Sequence, residues 1–113
     1  MSRNDLHILW TNDNPITSEL MVLMYAQAAA THHWWDSVTV IIWGATAKLV
    51  ADNSDIQARV ASAQQAGVAF SACQACANAL GTADALRSQG IEVKLWGSPL
   101  TEIIKQNAPL ITV

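Results

Sequence analysis

Charge is scarce in this chain. Only 13% of its 113 residues are Asp, Glu, Lys or Arg, against about 25% in an ordinary soluble domain. Basic clusters are missing as well. Lys48, Arg59, Arg87, Lys94 and Lys105 are scattered and the net charge is −3, which excludes the electrostatic footprint of nucleic-acid binding. Long apolar runs are absent although 51% of the residues are hydrophobic. The longest, Leu20–Ala30, is broken at Gln27 and falls well short of the ~20 residues that a membrane span needs. No apolar core follows Met1-Ser2-Arg3-Asn4-Asp5, so no secretory signal is expected and the chain is placed in the cytoplasm. Two cysteines are too few for a disulfide framework. The sequence has no glycine-rich phosphate loop, no G-x-S-x-G and no convincing carboxylate pair, so no cofactor is expected. A metal is not expected either. His32 and His33 point about 100° apart on a helix, and no second ligand pair accompanies them. With so little charge to cover it, part of the surface is expected to lie against other copies of the chain.

What is present is a regular alternation. Short runs rich in β-branched residues recur at Leu6–Trp10, Val38–Trp43, Val68–Ala72, Ile91–Trp96 and Leu110–Val113, and each reads as a strand. Helical patterns lie between them. Thr17–His33 is apolar almost all round, so it should be covered on more than one side. A second helix opens at Ser54, with Gln57 three residues on as a capping box and Ile56, Val60 and Ala63 as its inward stripe. A third runs from Cys73 to Leu80 and closes on Gly81. Thr82 then caps Ala83–Gln89, closed by Gly90. The last helix starts Ser98-Pro99, and Asn14-Pro15 repeats that N-cap-proline pattern before the first. Strands alternating with helices in one chain of this length predict a single α/β domain spanning residues 1–113. Its five strands should be parallel, with helices on both faces of the sheet.

Ligands of such sheets bind outside the carboxyl ends of the strands. The exits here carry Trp10 with Asn12 and Asp13, Trp43 with Gly44, Trp96 with Gly97, and Cys73. These residues predict an aromatic-walled pocket around a thiol, although large aromatics at strand ends equally serve to cap a core. Cys73 passes from a strand into a helix N-terminus, where unpaired N–H groups favour a thiolate, the nucleophilic form. It is therefore the candidate catalytic residue. Cys76 follows one turn later on roughly the same face and is the candidate resolving thiol of a dithiol pair. Pro109 is spaced vaguely like the proline that faces a thioredoxin motif, but the continuing βα alternation argues against that fold.

The stretch Gly67-Val68-Ala69-Phe70-Ser71-Ala72-Cys73, followed by Gly81-Thr82 and Gly90-Ile91-Glu92-Val93, resembles the DsrE-like (DsrE/DsrF) family. The similarity runs from Asn12-Asp13-Asn14-Pro15 through Trp43-Gly44 to the terminal strand. It is nearest to the short members of the family. The family's cysteine directly after a Gly-Val strand matches Cys73, whereas Cys76 lies outside that motif. The resemblance implies a three-layer α/β/α sandwich, a flavodoxin-like variant, assembled as a trimer or hexamer. It also implies that Cys73 carries a persulfide in a sulfur relay, with a sulfur-donor or sulfur-acceptor protein as partner. Two other functions stay open on the residues alone: a dithiol redox module using Cys73 and Cys76, and a non-catalytic oligomeric module that binds a small molecule. Whether the protein is an enzyme is likewise left open.

Overall fold

The computed structural model describes residues 3–113; Met1 and Ser2, which open the terminal segment considered for a signal, lie outside the described residues. Five strands form where the β-branched runs fall: β1 (Asp5–Trp10), β2 (Ser37–Ile42), β3 (Ala69–Cys73), β4 (Glu92–Lys94) and β5 (Leu110–Thr112). All pair in parallel, in the order β4-β3-β2-β1-β5. The helices between them are α1 (Pro15–Thr17), a π-helical stretch (Ser18–Leu23), α2 (Met24–Thr31), α3 (Thr46–Asp52), α4 (Ser54–Gln65), α5 (Gln74–Leu80), α6 (Ala83–Arg87) and α7 (Gly97–Lys105).

This strand order makes the two faces unequal. The chain steps in one direction from β1 to β4, so right-handed crossovers lay α1 to α6 on a single face. β5 pairs on the far side of β1, so α7 must run back across the sheet, and it covers the other face alone. Side-chain alternation sorts the strand residues accordingly. Leu6, Ile8, Trp10, Val38, Val40, Ile42, Phe70 and Ala72 join the large core under the six helices. Leu9, Ile41, Trp43 and Leu110 pack with Trp96, Leu100 and Ile103 in a smaller cluster beneath α7. β2 sits between both layers, and Val40, Ile41 and Ile42 are each wholly buried. Burial on that scale contributes about 1.5–3 kcal/mol per side chain. A three-layer α/β/α sandwich with five parallel strands is thus the observed architecture. Among the described residues, no helix is long and apolar enough to cross a membrane.

Several boundaries differ from expectation. The first crossover begins as expected at Asn14-Pro15, where Asn14 Oδ1 accepts from the Ile16 and Thr17 N–H groups. It continues through the π-helical stretch, which a 3.6-residue period does not announce. α3 is an addition to the expected elements: its N-cap, Ala45, makes no side-chain cap bond, so the usual starting signal is absent. The Ser54 capping box does not form. Asn53 caps α4 instead, accepting from Ile56 N–H, while Gln57 Nε2 turns back to the Val50 and Ala51 carbonyls at the end of α3. Thr82 likewise makes no cap bond to α6; its hydroxyl donates to Ala77 O. β4 ends early, at Lys94, because Trp96 rather than Ser98 is the N-cap residue of α7.

Candidate functional site

The carboxyl rim of the sheet is built differently at each strand. At the exit of β1 the polar groups are tied into the framework. Trp10 is fully buried and its indole N–H donates to Ser18 Oγ. The Asn12 carbonyl accepts from both the Ser18 and Thr46 hydroxyls, and Asn12 Oδ1 accepts from Asn14 N–H. Asn12 therefore joins β1, the first crossover and α3. Trp10 belongs to the large core, so it does not face the cluster that holds Trp43 and Trp96. Alternation along the strands, which shared sequence positions alone do not reveal, separates the three tryptophans.

At the exit of β3 the arrangement is looser. Cys73 ends the strand, pairs with Lys94 and is 5% exposed. It is also the N-cap residue of α5, yet its sulfur accepts no capping hydrogen bond. With only seven residues in α5, the dipole adds little there. The neighbour that matters is Cys76, one turn along, half-buried and a free thiol like Cys73. The two thiols are neighbours: Cys73 is the N-cap residue of α5 and Cys76 lies three residues on in its first turn, close enough for Cys73 to shift the Cys76 pKa. Burial pushes the Cys76 pKa up, and the contact with Cys73 adds to the rise; the Gly44 backbone and Cys76's own backbone oppose it. Cys76 is thus held as a neutral thiol.

Gly44 reaches this position because β2 and β3 are in register, Ile42 beside Ala72, so the turn after β2 lies next to the start of α5. Its φ of +69° is in the left-handed region, where only glycine fits without strain. Trp43 points into the smaller cluster. Trp96 is anchored below the rim, its N–H donating to Ser71 Oγ at 2.7 Å and Ser71 donating on to Glu92 at 2.9 Å. Lys94 lies 4.6 Å over the Trp96 ring and 3.5 Å from Glu92. Gly97 is exposed at the start of α7 with open space around it, away from any contact with the thiols that the structure records.

A cleft of about 460 Å³ is lined by Asp13, Ala45, Lys48, Leu49, Asp52, Asn53 and Leu80. Of the residues expected to shape a pocket, Asp13 alone lines it. Sequence reasoning misses Lys48, Leu49 and Leu80; the Lys48–Asp52 pair at i, i+4 is the signal that could have found both α3 and the cleft. Ala45 follows Gly44, and Leu80 lies one turn beyond Cys76 on α5, but neither cysteine is among the residues that line the cleft. Among the described residues, no three His, Cys, Asp or Glu side chains come together as a metal site.

No family model and no curated protein matches the chain. A solved structure does: a conserved protein of unknown function from Bacteroides thetaiotaomicron, 36% identical, with a TM-score of 0.95 over 97% of this chain and 95% of that one. The chain belongs to the same family as that protein.

Proposed function

We propose that this chain, as a member of that family, is a small thiol protein that accepts sulfane sulfur, with Cys73 as the persulfide-forming residue. The observation that carries the proposal is the placement of two free cysteines at the carboxyl rim of the sheet, Cys73 at the N-cap of α5 and Cys76 one turn along it. Burial and the neighbouring Cys73 raise the Cys76 pKa and favour its neutral form, so Cys73 is taken as the sulfur that meets the donor. The thiolate of such a residue attacks the outer sulfur of a persulfide donor, taking that sulfur and releasing the donor's thiol. The DsrE-like resemblance around Gly67–Cys73 supports the same assignment, as does a cleft large enough for a small donor that is walled by Leu80, one turn beyond Cys76 on α5. Two free thiols also suit a reducing compartment, in keeping with a cytoplasmic location.

Self-association is part of the proposal. Ile16, Leu20 and Met24, spaced four residues apart along the first crossover, are 69%, 54% and 51% exposed, a stripe suited to burial against another copy in a trimer or hexamer. The test of function is to treat the Cys76→Ser protein with cysteine persulfide and measure its intact mass. A gain of ~32 Da that disappears when Cys73 is also replaced supports sulfur acceptance; no gain contradicts it. A second reading is favoured by the cleft, namely that the protein binds a small molecule and the thiols are incidental. In that case Cys73→Ser/Cys76→Ser would keep ligand affinity unchanged.

A further inference from the structure

Resting on the sulfane-sulfur reading above, we infer that the protein does not store the sulfur it accepts but reduces it, with Cys76 displacing it from Cys73 as hydrogen sulfide. A sulfur carrier must keep its persulfide away from competing thiols, because a neighbouring thiol attacks the inner sulfur and expels the outer one. This structure does the reverse. Cys73 is the N-cap residue of α5 and Cys76 lies three residues away on its first turn, so the attacking atom is within one helical turn of the atom it would attack.

The chemistry balances in two steps. In the first, the Cys73 thiolate takes the outer sulfur of a low-molecular-weight persulfide; an S–S bond forms on Cys73, the donor's S–S bond breaks, and the donor leaves as a thiol. In the second, Cys76 gives up its proton and its sulfur bonds to the Cys73 sulfur. The bond from Cys73 to the outer sulfur breaks, and that sulfur leaves with the electron pair as hydrosulfide, taking up a proton. The net result is sulfane sulfur reduced to sulfide and the dithiol oxidised to a Cys73–Cys76 disulfide. A thiol or dithiol reductant returns the pair to the reduced state. The protonation of Cys76 at rest fits this order, since a neutral thiol does not compete with Cys73 for the incoming donor.

The fold provides room for both steps. The cleft lined by Asp13, Ala45, Lys48, Leu49 and Leu80 takes in the residue after Gly44 and the residue one turn beyond Cys76, and gives a small persulfide a side from which to approach. Gly44 presents no side chain there, and the space where a Cβ would stand is open, with nothing within 4 Å of it. The second step needs no rearrangement of the sheet, because both cysteines lie within a single turn.

The test uses the reduced full-length protein and a limiting amount of cysteine persulfide, with sulfide and intact mass followed together. The expected result for the wild type is about one sulfide released per chain and a final mass ~2 Da below the reduced protein, with no lasting ~32 Da adduct. Cys76→Ser and Cys76→Ala should both hold the ~32 Da adduct on Cys73 and release sulfide about tenfold more slowly or less. Circular dichroism on both variants confirms that they are folded. A wild type that keeps the adduct as long as Cys76→Ala does would overturn the inference while leaving sulfur acceptance standing. Failure of the folded Cys76 variants to take up sulfur would overturn the acceptance reading itself, and the inference with it.

Discussion

The exits of β1 and β3 occupy the same rim of the same sheet and are built on opposite plans. At β1, Trp10 is buried with its N–H satisfied by Ser18, and the Asn12 carbonyl takes two hydroxyl donors. Every polar group named there is spent on holding the first crossover and α3 to the strand. At β3, Cys73 makes no cap bond, and Cys76 has the Gly44 backbone and the Cys73 thiol as its neighbours. An exit whose groups are consumed by the framework contributes stability. An exit whose reactive groups are not tied into the framework by side-chain bonds is free to contribute chemistry.

The contrast can be broken most forcefully at β1. Trp10→Ala should destabilise the protein by about 3–5 kcal/mol in chemical denaturation, the cost of a large core truncation. Alkylation of Cys73 and Cys76 in the still-folded fraction should be unchanged. A faster thiol reaction there would show that the two exits are coupled. Ser71→Ala tests whether β3 has structural polar groups below its rim. Loss of the hydroxyl strands the buried Trp96 N–H, and denaturation should register about 1–3 kcal/mol. Gly44 and Gly97 make a smaller, paired comparison. Gly44→Ala places a side chain at φ +69° and should cost roughly 1–2 kcal/mol, whereas Gly97→Ala, on the surface with open space around it, should change stability by less than about 0.5 kcal/mol.

The smallest effect is one of pH. Burial and the Cys73 contact raise the Cys76 pKa, so Cys76 alkylation should rise with pH through a midpoint above that of an ordinary thiol. In Cys73→Ala that midpoint should fall, because the neighbouring sulfur and its charge are gone while burial remains. A midpoint that does not move would mean that the thiols do not sense each other.

Much of the fold was legible because local and global signals agreed. β-branched runs marked all five strands, and Ile56, Val60 and Ala63 marked the inward face of α4. What stayed hidden depended on competition between neighbours. α3 has no side-chain cap to announce it, and its free carbonyls draw Gln57 away from the Ser54 capping box. The closeness of Cys73 and Cys76 could be read from their spacing. The approach of Gly44 could not, because it depends on the β2–β3 register. Nor could the division of Trp10 from Trp43 and Trp96, which follows from side-chain alternation and from α7 covering its face alone.

The central claim is that the sulfurs of Cys73 and Cys76 face each other, and an equilibrium in glutathione redox buffer tests it most directly. Both cysteines fall in the tryptic peptide Val60–Arg87, so their state is read from one mass. The account predicts an intrachain disulfide in the folded protein, with the peptide ~2 Da lighter and no glutathione attached. Glutathione carried separately on Cys73 and Cys76, with no intrachain bond at any buffer ratio, would contradict it.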